Sequence, residues 1–229
     1  GYNNYGQLGD GTTNNSLTPV QVNNLNNVVA ITGGRDHSLA LKEDGTVWAW
    51  GRNFSGQLDD GITNDSLIPV QVINLSNIVA ITSGFGHSLA LKEDGTVWAW
   101  GDNNYGELGD GTINSTFTPV QVSNLNNVVA ISGGAGHSLA LKEDGTVWAW
   151  GFNLYGQLGN GTTDSSLTPI QVSNLSNIVD IISGTEHSLA LKEDGSIWAW
   201  GDNLCGQLGY ETTNFFECSY IPMQISRDR

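Results

Sequence analysis

Four histidines recur 50 residues apart, at His37, His87, His137 and His187, each followed at once by a serine. A His-Ser pair could activate a hydroxyl nucleophile, and several imidazoles together could hold zinc. The repetition argues against both, because an active site needs one asymmetric constellation. One ion also cannot gather ligands from four separate copies of a unit at bonds of about 2 Å. Each histidine is therefore expected to hold the turn before a strand through a hydrogen bond, and no catalytic residue, metal or cofactor is expected.

Other acidic clusters reduce to turn chemistry in the same way. Asp59-Asp60-Gly61 with Asn64 and Asp65, and Asp110-Gly111 with Asn114, lack the calcium-loop spacing and its terminal bidentate glutamate. The pairs Glu43-Asp44, Glu93-Asp94, Glu143-Asp144 and Glu193-Asp194 each follow a lysine and precede a glycine, as tight hairpins do. The glycines around Asn53 and Gly56 are no phosphate loop, since no helix follows to receive the anion.

The elements that carry these residues repeat almost without slippage. HSLALKEDG begins at each of the four histidines, WAWG at Trp48, Trp98, Trp148 and Trp198, and Pro19, Pro69, Pro119 and Pro169 keep the same step. A fifth unit begins with GDNLCGQLG, but its proline falls at Pro222, three residues late, which places an insertion within residues 211–218. Short alternating runs bounded by Gly, Asn and Asp read as strands, predicted in the first full unit at 28–32 (A), 37–42 (B), 46–50 (C) and 69–72 (D). Proline at the start of D suits an outer edge strand. Alternation puts Val29, Ile31, Leu39, Leu41, Trp48 and Trp50 on one face, with Ala30, Ser38, Ala40, Val47 and Ala49 on the other. A bulky face stacked on its neighbour's small face describes propeller blades.

The expected class is thus all-β: a β-propeller of four-stranded antiparallel blades. About four blades are complete, and residues 19–22 read as an extra N-terminal outer strand from a preceding blade. Three arrangements fit: a piece of a longer propeller, half of a homodimeric eight-bladed ring, or a closed four-bladed ring. Asp180 replaces the Ala30, Ala80 and Ala130 of the other A strands; it either marks a last blade packed differently or points into a wet central channel.

Eight basic against 23 acidic residues leave a net charge of −15, which disfavours nucleic acid. No run reaches the roughly 18 apolar residues of a membrane helix, so the chain reads as soluble, cytoplasmic or secreted, with no membrane partner. Cys205 and Cys218 are too few to staple the fold, though they could bridge a C-terminal loop.

The strings GDNNYGELGDGT, TPVQV, VVAI and GHSLALKEDGTVWAWG closely resemble the repeat of the regulator of chromosome condensation family, over nearly the whole chain. The resemblance implies one domain over 1–229, with repeats 1–50, 51–100, 101–150, 151–200 and a partial 201–229. It further implies a β-propeller used chiefly for protein binding. Founding members are guanine-nucleotide exchange factors for a small GTPase, and other relatives serve as inhibitors, effectors or surface proteins. Fold alone cannot choose among these.

Positions that break the repeat are the more informative ones. They collect in the A–B and C–D links, which an up-and-down blade places on one rim. Arg35, Asp36, Arg52, Phe54, Phe85, Asp102, Tyr105, Phe152 and Tyr155 give that rim the aromatic and arginine character of an interaction hot spot. The expected function is a non-enzymatic scaffold that binds a protein, its acidic surface favouring a basic partner patch. Nucleotide exchange on a small GTPase is the alternative, followed by a structural or surface-display array.

Overall fold

The computed structural model describes residues 1–59, 61, 63–209 and 218–225, and these form strands, turns and loops. Blade 1 comprises β1 (Val28–Gly33), β2 (His37–Lys42), β3 (Val47–Gly51) and β4 (Ser66–Gln71). Blade 2 comprises β5 (Ile78–Ser83), β6 (His87–Lys92), β7 (Val97–Gly101) and β8 (Thr116–Gln121). Blade 3 runs through β9 (Val128–Gly133), β10 (His137–Lys142), β11 (Val147–Gly151) and β12 (Ser166–Gln171). Blade 4 follows with β13 (Ile178–Ser183), β14 (His187–Lys192), β15 (Ile197–Gly201) and β16 (Ser219–Gln224). Every blade is an antiparallel sheet in chain order.

The KEDG hairpin sets the register. Gly45 takes a positive φ of 77°, Gly45 N donates to the Lys42 carbonyl, and Lys42 N donates to the Thr46 carbonyl. The Asp44 carboxylate accepts from the Thr46 amide and hydroxyl, which holds its pKa below the ordinary value. This closure sets Ala40 opposite Trp48 and Leu41 opposite Val47. Directly paired residues share a face. One face therefore carries Ala30, Leu39, Leu41, Val47 and Ala49, and the other Ile31, Ser38, Ala40, Trp48 and Trp50. This corrects the bulky-and-small division expected from alternation within single strands: each face mixes large and small residues, because the hairpin decides which side of β3 joins which side of β2.

The blades stack with the leucine face of one on the tryptophan face of the next. Leu39, Leu41, Val47 and Ala49 pack with Ile78, Ala90 and Trp100, and equivalent clusters join blades 2 to 3 and 3 to 4. The C–D loop of each blade also latches its successor. The Gln57 carbonyl accepts hydrogen bonds from Trp100 Nε1 at 2.8 Å and from Ser88 Oγ at 3.3 Å. Ser88 Oγ lies 3.1 Å from His37 Nε2, and His87 and His137 reach Ser138 and Ser188 at 3.0 Å each. Because the serine proton goes to the carbonyl, Nε2 carries the imidazole proton, which leaves the buried Nδ1 atoms of His37, His87 and His137 as acceptors without a partner. Burial pushes His37 down to about 4 and His87 and His137 to about 3. The imidazoles thus tie blade to blade; the preceding turn is closed by the backbone, Gly34 N donating to the His37 carbonyl.

Four further expectations change. The D strands begin three residues early, at Ser66 in blade 1, so Pro69 lies inside β4. There the ladder jumps from Val70 opposite Ala49 to Ser66 opposite Gly51, a shift that spares the proline a missing donor. Residues 19–22 form no strand, for want of a β3 equivalent to pair with; the segment is held instead by Asn23 N donating to the Gly9 carbonyl. Cys205 and Cys218 are both free thiols, and of residues 211–218, where an insertion is expected, 211–217 lie outside the described residues.

Nor do the blades close into a four-membered ring. Inner strands adjoin as β1 with β5, β5 with β9 and β9 with β13. At the two ends of this arc Ile31 of β1 is 77% exposed and Ile182 of β13 is 58% exposed. The leucine face of blade 4 is open as well, with Leu191 and Ile197 exposed where Leu91 and Val97 are buried. Asp180 belongs to this uncovered end, exposed and accepting from the Ile181 amide.

Candidate functional site

Two sets of loops build the rim, and hydrogen bonds tie both in place. In the C–D loop of blade 2 a buried asparagine replaces secondary structure: Asn103 Nδ2 donates to the Thr112 and Asn114 carbonyls at 3.1 Å, and Oδ1 accepts from Leu108 N at 2.9 Å. Asn3 and Asn153 repeat this arrangement. The A–B loops hang on one another: Arg35 N donates to Phe85 O, Phe85 N to Ala135 O, and Ala135 N to Thr185 O. These loops ring a central depression of about 280 Å³ lined largely by glycine.

Beside it lies a cleft of about 480 Å³ between the A–B and C–D loops. Arg35, Asp36, Arg52, Phe54, Phe85, Asp102, Tyr105 and Phe152 all line it, so eight of the nine residues singled out from sequence converge on one space. The ninth, Tyr155, packs edge-on against Phe152, with ring centroids 6.1 Å apart.

The cleft has two chemically distinct ends. At one end Asp36 lies 3.4 Å from Arg52 Nη1 and 3.8 Å from Arg35 Nε. Arg35 stacks over Phe85, and Arg52 over Tyr5 and Phe54. Phe54 itself is 76% exposed, an apolar ring held out to solvent. At the other end Tyr105 and Phe152 sit 4.7 Å apart beside Asp102, Glu107 and Glu186. Glu107 is only 3% exposed, and burial, reinforced by neighbouring Asp102, pushes its pKa up to about 7. Burial and Asp202 likewise raise Glu186.

Sequence reasoning passed over Glu107, although a signal was present: the same position is Gln7, Gln57, Gln157 and Gln207 in the other units. Gly86 and Gly136 belong to the A–B loops of blades 2 and 3. They stand where blades 1 and 4 carry Asp36 and Glu186, and the missing side chains open the cleft over Asp102 and Glu107. Among the described residues no three His, Cys, Asp or Glu side chains are grouped to hold a metal, and no helix is long and apolar enough to cross a membrane.

This blade arc with its one-sided rim can be compared with known proteins. The family model described as RCC1-like domain matches residues 1–228. The chain belongs to the RCC1-like domain family. Among solved RCC1-like structures it is similar to Saccharomyces cerevisiae Prp20p, at 26% identity and a TM-score of 0.81, over 92% of this chain and 53% of that one. Yeast RCC1 (Prp20) bound to Kap60 matches at 25% identity and a TM-score of 0.77, over 87% and 49% of the two chains. Human WBSCR16 shares the fold at 24% identity and a TM-score of 0.83, over 97% and 60%. This chain therefore spans about half to three-fifths of the length of these proteins.

Proposed function

We propose that this RCC1-like arc is a non-enzymatic module that binds another protein through the rim built by its A–B and C–D loops. One observation carries the reading: eight of the nine rim positions singled out for breaking the repeat line a single cleft of aromatic and arginine side chains, on loops tied together by backbone and asparagine hydrogen bonds. Pre-organised aromatic anchors bind with little ordering cost. His37, His87 and His137 offer no competing catalytic reading, since each is buried and committed to a serine of the next blade, and His187 stands half-buried in the last blade as the fourth copy of the same repeated position. The test replaces Phe54 and Phe85 together with serine. Capture of the partner by the wild-type chain and its loss in the double variant, with unchanged melting, is the expected result; equal capture by both would refute the reading.

Likeness to Prp20p, whose binding properties to Gsp1p and histones accompany its structure, favours a second reading, regulation of a small GTPase by nucleotide exchange. A nucleotide-release assay with Ran-type GTPases decides it. A release rate unchanged by stoichiometric protein removes it and leaves the scaffold reading in place.

A further inference from the structure

Glu107 has a structural task that does not require its charge. Its Oε2 accepts from Tyr105 N at 2.8 Å, just as the amide oxygens of Gln7, Gln57, Gln157 and Gln207 accept from the residue two positions earlier. Glutamine would serve equally and without the cost of burying a carboxylate. The remaining oxygen, Oε1, faces the cleft: a Cβ added to Gly136 would stand 3.6 Å from it. Tyr105, Phe152 and Phe85 wall the space, and Asp102 and Glu186 line it with Glu107. The cleft's own cations do not fill this end, since Arg35 and Arg52 are paired with Asp36 and stacked on Phe85, Tyr5 and Phe54.

We infer that the Glu107 end of the cleft is a socket for one lysine or arginine side chain of the partner, its cationic head on Glu107 Oε1 and its stem along the paired rings of Tyr105 and Phe152. Aromatic faces and a desolvated carboxylate both favour a cation over a neutral group. The glycines at 86 and 136 leave the entry open. This rests on the rim being a protein-binding face and adds the chemistry of what enters it. Because Asp102 and Glu186 share the space with Glu107, and Arg35, Asp36 and Arg52 hold the far end, a bound cation should draw the proton off Glu107, whose burial otherwise retains it near neutrality.

The probes are Nα-acetyl-arginine and Nα-acetyl-lysine methylamides, titrated by NMR into the wild-type chain and into Glu107→Gln, with the citrulline analogue as an uncharged control. A charged probe that binds the wild type about tenfold more tightly than Glu107→Gln supports the socket, as does affinity that rises from pH 6 to pH 8 in the wild type alone. No binding, equal binding by Glu107→Gln, or equal binding of citrulline overturns it. The glutamine variant reproduces what the other units already use, so its fold is secured by design, and thermal melting confirms it. If partner capture still depends on Phe54 and Phe85 while the probes fail, the socket falls and the rim reading survives.

Discussion

Replacing Glu107 with glutamine should stabilise this protein in neutral and alkaline solution while leaving it unchanged in acid. The Glu107 carboxyl titrates at about 7 in the folded chain against an ordinary value of 4.5, mainly because it is buried. Below pH 4.5 it is protonated in both states and costs nothing. Between pH 4.5 and about 7 the unfolded chain releases this proton and the folded chain keeps it, so stability falls as pH rises. Each pH unit in that window is worth about 1.4 kcal/mol, which brings the penalty to about 3 kcal/mol above pH 7. Glutamine keeps the hydrogen bond from Tyr105 N and carries no such penalty. The assay is urea unfolding of both proteins at intervals from pH 4 to pH 8.5. The gap in favour of Glu107→Gln should open through the window and level off above it. A gap independent of pH, or a less stable variant, would refute the claim that burial of this charge is a cost carried for binding.

The histidine latches act with the opposite sign. His37, His87 and His137 titrate at about 4, 3 and 3 when folded against an ordinary 6.5, so their contribution is complete above pH 6.5 and is lost as pH falls through those values. Stability should drop by about 1.4 kcal/mol per pH unit for each histidine between pH 6 and pH 4, read by the same urea series. The leucine face of blade 4 is open at Leu191 and Ile197, and the tryptophan face of blade 1, whose Trp50 is already latched by the Gln7 carbonyl, is open at its inner end at Ile31; the other blades bury the equivalent faces against each other three times. The isolated 229-residue chain should therefore self-associate head to tail, and light scattering should show species larger than one chain that Leu191→Glu disperses; a monomer at every concentration would contradict this.

Strand content was legible because each strand carries its own alternation between fixed punctuation, as 37–42 shows: the KEDG turn ends it where the structure does. What alternation within a strand cannot give is the relation between strands. The faces of β2 and β3 were paired wrongly because Ala40 meets Trp48 only through the hairpin closed by Asp44, Gly45 and Thr46. The start of β4 was missed because Pro69 reads as a boundary, whereas a register shift accommodates it. The rim was legible for a different reason. In a repeated chain, divergence at Arg35, Phe85 or Phe152 stands out against identical neighbours, and the topology gathers such positions on one side. Glu107 escaped because it differs from its Gln counterparts by charge alone within an otherwise standard turn, and only its burial in the folded chain gives that charge weight.

Hydrogen exchange of the chain with and without its captured partner tests the rim most directly. Protection is expected at the A–B loops around residues 34–36 and 84–86 and at the C–D loops around 52–58 and 102–108. The hairpins at 43–46 and 93–96, on the opposite rim, should exchange as in the free chain. Protection confined to those hairpins, or to the two open ends of the arc, would contradict binding through this rim.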